Sequence, residues 1–156
     1  MNDVVLDMLL ERKLSLSCAE SITGGMFAKT VTDKPGISAI FDRGIVTYCN
    51  KAKIEELGVN PETIDKYTEI SAETAYEMAE GLHKVTGSDV CISVTGLAGP
   101  DGGTEENPVG TYYIGLWYNG KCNAYKFYEK RKSRDNIRNS AVQFMFRTIY
   151  EAIKED

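Results

Sequence analysis

Segments with strand character and segments with helix character alternate along the chain, and this alternation limits the possible folds more than any other feature. Leu14–Ala19, Phe41–Tyr48 and Val90–Val94 are apolar runs of strand length, and helical patterns lie between them. A run such as Val90–Val94, with hardly any polar residue, is typical of a strand in a sheet covered on both faces. Strands joined through helices therefore predict a layered α/β domain with parallel strands at its centre.

Capping and turn residues place the remaining elements. Asn119-Gly120 lies between Tyr112–Tyr118 and Cys122–Tyr128, which predicts a hairpin with a type I′ turn and makes the sheet mixed. Helices are predicted from the start to about Lys13, at Thr23–Thr32, at Asn50–Leu57, after Asn60-Pro61, from the Ser71 cap to Val85, and from the Ser133 cap onward. We expect a single-domain α/β/α sandwich with a mixed central sheet over residues 1–156, since this length favours one domain.

Composition excludes several classes of protein. The chain has 18 Lys and Arg against 23 Asp and Glu, and a net charge of −5 makes it a poor general binder of nucleic acid. No window approaches the roughly 18 apolar residues of a membrane span, and the start, MNDVVLDMLLERK, is too acidic and too short in apolar residues for a signal peptide. We therefore expect a cytoplasmic protein with no membrane partner, whose four cysteines are buried and reduced. We separately expect a homo-oligomer, a dimer.

Residues that ordinarily bind metals or activate a serine are scarce. His83 is the only histidine, and its place on the predicted helix after Ser71 favours a structural role. No His and Cys residues have the spacing of a zinc site, and neither the P-loop nor the GxGxxG pattern occurs. We expect neither a metal nor a cofactor. A hydrolase with a covalent step would take its base from lysine, tyrosine or a carboxylate.

The segment Cys18–Gly25 joins a predicted strand to a predicted helix. Ser21 is expected at the carboxyl end of the strand, where open α/β sheets place their ligands. Gly24 and Gly25 at the helix start allow a ligand to approach backbone N–H groups closely. The segment is suited to a nucleophilic serine with an oxyanion hole, and it is equally suited to a helix cap with tight packing.

Two lysines follow the second predicted strand. Lys51 and Lys53 lie two positions apart on a helix, so only one of them can face a site. A lysine in a dry site loses its proton more easily and can act as a general base toward a serine. The alternative is a pair of surface lysines at the start of a helix.

Two further segments have the composition of anion-binding sites. Thr95–Gly103 is rich in glycine, follows the most apolar strand, and can form a nest of N–H groups or a flexible turn. Six basic residues are concentrated at 126–138, and Arg134 stands at a helix start, where a bound phosphate would offset the unfavourable helix dipole. A solvated basic face or a contact for short RNA are the alternatives for this cluster.

Taken together, these segments resemble the CinA C-terminal domain family, also called the nicotinamide-nucleotide amidase family. The resemblance covers nearly the whole chain, in order and with matching spacing. It is carried by Ala19–Gly25, Phe41–Tyr48, Asn50–Lys53, Leu57–Val59, Ser71–Gly81, Thr95–Gly103 and Pro108–Gly110. The chain departs from the family pattern at four places: Arg43 replaces a glycine, Asn107 replaces a lysine, Tyr67–Ile70 lacks the usual glycine, and Lys132-Ser133 precedes Arg134 in place of Gly-Asp.

The resemblance implies hydrolysis of nicotinamide mononucleotide to nicotinate mononucleotide and ammonia, without a metal. It implies Ser21 as the nucleophile and Lys53 as the base, with Tyr48 relaying or orienting. The residues expected to bind substrate are Thr23, Gly24, Gly25, Thr95, Gly96, Ala98, Gly99 and Arg134. The alternatives are a non-catalytic nucleotide-binding or regulatory domain of the same family and an RNA-contacting module. In longer relatives a second domain often precedes this one, and we expect it to be absent here.

Overall fold

A five-stranded mixed sheet forms the centre of the computed structural model, which describes residues 1–156. The strands are β1 (Leu16–Glu20), β2 (Phe41–Val46), β3 (Val90–Gly96), β4 (Thr111–Tyr118) and β5 (Lys121–Tyr128). Their order across the sheet is β2-β1-β3-β4-β5. β1 runs parallel to both of its neighbours, and the β4–β5 hairpin continues the sheet in antiparallel pairing. The predicted mixed sheet is confirmed.

Helices cover both faces of the sheet. They are α1 (Asn2–Arg12), α2 (Met26–Thr32), α3 (Asn50–Leu57), α4 (Pro61–Tyr67), α5 (Ala72–Thr86) and α6 (Arg134–Ile153). Apolar side chains of α1, α2 and α6 pack on one face with Cys18 and Ile92. Those of α3, α4 and α5 pack on the other face with Ala19 and Cys91. Neighbouring strand residues therefore serve opposite layers, as the two-residue period of a strand requires, and the predicted α/β/α sandwich is confirmed.

Local signals placed several boundaries correctly. The Ser71 side chain accepts the N–H of Thr74 at 3.1 Å, and the Ser133 side chain accepts that of Asn136 at 3.0 Å. Both serines therefore cap the helices that they were predicted to start. Asn119 and Gly120 have φ values of 53° and 77°, as a type I′ hairpin turn requires.

Several predicted boundaries differ from those of the structure, and two of the differences lie beside the same edge of the sheet. α2 begins at Met26 rather than Thr23, because Gly24 and Gly25 adopt positive φ values of 59° and 105° that a helix does not contain. β2 ends at Val46 rather than Tyr48, so residues 47–49 form a link into α3. The chain passes from β1 to its neighbour β2 on one side, and then from β2 across β1 to the neighbour β3 on the other side. The carboxyl end of β1 is therefore a topological switch point, the usual place for a ligand in such sheets.

The remaining sequence expectations concern single residues. All four cysteines are free thiols, but Cys49 is exposed and Cys122 is only partly buried, so the prediction of four buried thiols was wrong. Cys49 is the residue that directly precedes α3. His83 stacks on Trp117 and its Nδ1 lies 2.9 Å from the Ser88 carbonyl, which confirms a structural histidine. None of the helices has the length and apolar character needed to cross a membrane.

Candidate active site

Ser21 lies at the switch point, immediately after β1. Its N–H donates to the Val94 carbonyl at 3.1 Å, which extends the pairing of β1 with β3 by one residue. The Gly24 N–H then donates back to the Ser21 carbonyl at 3.1 Å and closes a tight turn. A second turn follows directly, closed by the Met26 N–H on the Thr23 carbonyl at 3.1 Å, and its central residues Gly24 and Gly25 have positive φ values that side chains disfavour. The hydroxyl of Ser21 is thereby held at the edge of the sheet.

The buried carboxylate of Glu20 holds the segment between Ser21 and α2 in place. Glu20 is 0% exposed, and its side chain accepts the N–H groups of Phe27 at 2.7 Å and Ala28 at 3.0 Å. It also accepts the hydroxyl proton of Thr23 at 2.7 Å. The cap position of α2 is Gly25, which has no side chain, so Glu20 supplies the acceptor and the negative charge that a helix start favours. Sequence reasoning missed this residue. An acid shortly before a glycine-capped helix was the available signal.

Lys53 reaches Ser21 from the first turn of α3. Its Nζ donates to the Ser21 hydroxyl oxygen at 3.0 Å and to the Thr47 carbonyl at 2.9 Å. The residue is 1% exposed, and this burial lowers the pKa of the amine from 10.5, although the charges of Glu69 and Cys49 act in the opposite direction. A lowered pKa increases the fraction of neutral amine, which is the form that can accept a proton from a serine.

Lys51 has the opposite environment. Its side chain is 80% exposed and lies 3.9 Å from Glu55 in an ion pair along the helix surface. Only one of the two lysines faces inward, as the helical spacing predicted, and that lysine is Lys53. Lys51 therefore provides a matched control for any experiment on the base.

A cleft of about 400 Å³ opens in front of the Ser21–Lys53 pair, a size in the range of small-molecule sites. Of the predicted binding residues, Thr95, Gly96, Ala98, Gly99 and Arg134 line it. The others, Thr23, Gly24 and Gly25, are not part of its lining and form the turn behind Ser21. Tyr48 lines the cleft but is 62% exposed, and its hydroxyl forms no hydrogen bond with Ser21 or Lys53. In this structure the second partner of Lys53 is the Thr47 carbonyl rather than Tyr48.

Backbone N–H groups without a partner stand next to Ser21. The N–H of Ile22 donates to no acceptor of the chain. Gly96 faces Tyr112 in the β3–β4 pairing, one residue before the Leu97 N–H that bonds to the Thr111 carbonyl at 2.9 Å. Because hydrogen-bonded and non-bonded pairs alternate in antiparallel strands, the Gly96 N–H points away from β4, toward the β1 side. Ile22 and Gly96 both line the cleft.

The glycine-rich loop is tied down at both ends of the cleft. Arg134 Nη1 donates to the Gly99 carbonyl. Asn107 accepts the hydroxyl proton of Tyr113 at 2.7 Å and donates to the Ile70 carbonyl at 3.1 Å. Asn107, which replaces the lysine of the family pattern, thus connects the loop to the segment before α5.

Thr68 in that segment has an unusual backbone. Its φ and ψ of 69° and 171° lie in a region that only glycine adopts readily, and such a residue typically costs about 1–3 kcal/mol. Its carbonyl accepts the hydroxyl protons of Thr74 at 2.7 Å and Ser71 at 3.0 Å, which hold the conformation. The next residue, Glu69, accepts the Thr95 hydroxyl proton at its carbonyl at 2.7 Å and lines the cleft.

Most of the basic cluster at 126–138 is engaged within the chain. Lys126 donates to the Glu106 carbonyl at 3.2 Å, and Lys132 donates to the Val109 carbonyl at 2.8 Å. Arg131 pairs with Glu129 at 2.5 Å, and Arg138 donates to the Thr23 carbonyl at 3.0 Å. Lys126 and Lys132 thus bind backbone carbonyls of the connection between β3 and β4, and Arg138 binds the Ser21 turn, so these side chains have structural contacts within the chain.

The fold and the site define a class: a single-domain α/β protein with a mixed sheet and a buried serine–lysine pair at its switch point. Comparison with known proteins gives the family. The family model of the CinA C-terminal domain matches residues 1–153. The chain belongs to this family, which confirms the resemblance stated above.

Individual relatives agree with this assignment. A CinA-like protein of Kosmotoga olearia is 42% identical over 98% of this chain. A relative from Acetivibrio thermocellus, named as a competence-damage inducible protein, is 52% identical over 72% of this chain. These alignments cover 37% and 27% of the two relatives, so the chain spans about a third of the length of the curated proteins it matches.

Solved structures share the fold over most of their length. The competence/damage inducible protein CihA from Agrobacterium tumefaciens superposes with a TM-score of 0.93 at 34% identity, covering 96% of this chain and 92% of that chain. A CinA superfamily protein from Klebsiella pneumoniae superposes with a TM-score of 0.92 at 28% identity, covering 97% of this chain and 94% of that one.

Proposed function

We propose that the protein is an amidase that hydrolyses nicotinamide mononucleotide to nicotinate mononucleotide and ammonia, in the cytoplasm. The observation that carries this proposal is the buried contact of 3.0 Å between Lys53 Nζ and the Ser21 hydroxyl. A serine paired with a lysine of lowered pKa is suited to nucleophilic attack on an unactivated carboxamide. Membership of the CinA C-terminal domain family supports the choice of substrate.

In the first half of the reaction, the neutral amine of Lys53 takes the proton of Ser21 as the serine oxygen attacks the carboxamide carbon. A tetrahedral intermediate forms with a negative charge on the former carbonyl oxygen. This oxyanion would be held by the N–H of Ile22, which donates to no acceptor of the chain, and by the N–H of Gly96, which points away from β4; both residues line the cleft. Lys53 then delivers its proton to the leaving nitrogen, ammonia departs, and an ester joins Ser21 to the nicotinoyl group.

In the second half, water replaces ammonia. Lys53 takes a proton from the water as the water oxygen attacks the ester carbon, and it returns that proton to the Ser21 oxygen as the ester bond breaks. The ester bond breaks to give the free serine and a carboxylic acid, which loses its remaining proton to solvent and leaves as nicotinate mononucleotide. Tyr48, which is exposed at the rim of the cleft, is placed to contact the substrate ring, and its predicted role as a relay stays a prediction.

The other end of the substrate would be bound by the glycine-rich loop. Arg134 already contacts the Gly99 carbonyl, which places its guanidinium beside the loop at the start of α6. A guanidinium forms strong charge-assisted hydrogen bonds with phosphate. We therefore assign the ribose phosphate to Arg134 and to the residues around Ala98 and Gly99.

A direct assay tests this function. Ammonia release is measured with the purified protein over a panel of nicotinamide mononucleotide, the dephosphorylated nucleoside and free nicotinamide, with Ser21→Ala as the control. We expect release that is fastest from the mononucleotide and absent from Ser21→Ala. Tight binding of the mononucleotide without ammonia release would instead favour a non-catalytic nucleotide-binding domain.

A further inference from the structure

Glu69 is a carboxylate in the cleft without a partner in the chain. It is half-buried, and its side chain forms no ion pair and no hydrogen bond within the protein. Its position is nevertheless fixed, because the Thr95 hydroxyl donates to its carbonyl at 2.7 Å and Thr68 before it holds a φ of 69°. A strained backbone that presents an unpaired charge to a cleft indicates a role in function rather than in stability.

The charge of Glu69 reaches the reacting pair. The pKa of Lys53 is lowered overall by burial, and the charge of Glu69 acts in the opposite, raising direction. The thiol of Cys49 before α3 acts in the same direction as Glu69. The other charged or titratable residues on the same cleft are Tyr48, Asp101 and Arg134. Arg134 contacts the Gly99 carbonyl on the loop. The cleft therefore presents the negative charge of Glu69 on the side of Lys53 and Ser21, while the loop side carries Asp101 and, from the start of α6, the positive charge of Arg134.

We propose that Glu69 is a specificity residue that favours substrates whose reacting ring carries a positive charge; this inference rests on the amidase function proposed above. The nicotinamide ring of the mononucleotide is a pyridinium cation, and its phosphate is an anion. A cleft lined by Glu69 together with the serine, and by Arg134 where α6 meets the loop, offers a partner for each charge of such a ligand. Hydrolysis then creates a carboxylate next to Glu69, and the repulsion between the two favours release of the product.

Binding measurements separate the ring charge from the rest of the ligand. Nicotinamide mononucleotide and its dihydropyridine form have nearly the same shape and the same phosphate, but only the first has a charged ring. Their dissociation constants are measured by calorimetry in a Ser21→Ala background, with and without Glu69→Gln. We expect Glu69→Gln to weaken the charged ligand about fivefold, as for a partly screened charge pair, and the neutral ligand less than twofold.

Glu56→Gln is the matched control. Glu56 is exposed on α3, the helix that carries Lys53, and it is not part of the cleft lining. The substitution removes the same charge from the protein, so it should leave the ratio of the two dissociation constants unchanged. Equal weakening of both ligands by Glu69→Gln, or no weakening, would overturn the inference.

A second measurement does not need the natural substrate. The rate at which a neutral fluorophosphonate labels Ser21 is followed as a function of pH, because labelling requires the neutral amine of Lys53. Without the charge of Glu69 the protonated amine is less stable, so we expect the midpoint to move to lower pH in Glu69→Gln and to stay in place in Glu56→Gln. An unchanged midpoint in Glu69→Gln would show that the carboxylate does not act on the pair.

The two proposals fail in different ways. If the wild-type protein binds the charged ligand through Glu69 but releases no ammonia, the amidase function is wrong and the charge preference stands. If it releases ammonia and Glu69→Gln does not distinguish the two ligands, the amidase function stands and the charge preference is wrong. Binding of neither ligand overturns both.

Discussion

Replacing Lys53 by methionine removes the amine while keeping most of the volume of a side chain that is 1% exposed. Two hydrogen bonds disappear, one to the Ser21 hydroxyl at 3.0 Å and one to the Thr47 carbonyl at 2.9 Å. Loss of a general base typically lowers the rate by about 10²–10⁴-fold. We therefore expect kcat for ammonia release to fall by about a thousandfold, with a smaller change in KM.

Lys51→Met is the matched control for this variant. It removes the same charge two residues away, from a side chain that is 80% exposed and paired only with Glu55. Exposed ion pairs contribute about 0–1 kcal/mol, so Lys51→Met should keep both its stability and most of its activity. Similar losses in the two variants, or more than a tenth of the wild-type rate in Lys53→Met, would refute the assignment of Lys53 as the base.

The free energy of unfolding should depend on pH differently in the wild type and in Lys53→Met, and the lowered pKa of Lys53 gives the sign of this difference. The folded protein holds Lys53 at a pKa below 10.5, so between the two values the unfolded chain binds more protons than the folded one. The free energy of unfolding of the wild type therefore rises with pH through this window, and Lys53→Met loses that rise. Urea unfolding at several pH values measures it. Parallel pH profiles for the two proteins would mean that the amine is not buried as described.

Three further predictions concern residues around the pair. Ser21→Ala should keep its circular dichroism spectrum and lose at least about 10⁴-fold in kcat, because removing one member of a nucleophile–base pair costs about as much as removing both. Appreciable turnover in this variant would exclude the acyl-enzyme. Arg134→Ala should raise KM about ten- to a hundredfold for the mononucleotide but not for the nucleoside. Arg131, which pairs with Glu129, provides the control, and Arg131→Ala should change neither KM value. Equal effects of Arg134→Ala on both substrates would show that Arg134 does not bind the phosphate. Glu20→Ala should lower kcat about a hundredfold and lower Tm, because the groups that hold the turn after Ser21 lose their common acceptor. Glu20→Gln should restore both in part. An unchanged kcat in Glu20→Ala would mean that Glu20 only caps the helix.

Local and periodic signals allowed most of the fold to be predicted. The caps Ser71 and Ser133 and the Asn119-Gly120 turn depend on a few adjacent residues, so the sequence alone specifies them. The same reasoning failed at the start of α2. There Gly24 and Gly25 take positive φ values, and the helix start is capped by Glu20, whose carboxylate accepts N–H groups seven and eight residues further along the chain.

The candidate site could be predicted in part for a similar reason. Helical spacing showed that only one of Lys51 and Lys53 faces inward, but their burial depends on how α3 packs beneath the edge of the sheet. The exposure of Tyr48 and the placement of Glu69 depend on long-range contacts that carry no periodic pattern. These residues could be identified only once the strands and loops had been brought together.

The order in which the chain is synthesised gives α6 a particular importance. Arg134 and Arg138 supply contacts to the Gly99 and Thr23 carbonyls, yet they follow Ser21 by more than a hundred positions. During translation the serine and its lysine therefore emerge long before the arginines that brace the loop and the turn. Domains fold as units once their elements are available. A nascent chain that ends before residue 138 would consequently carry Ser21 and Lys53 without these contacts, so the candidate site would be completed late, when α6 docks.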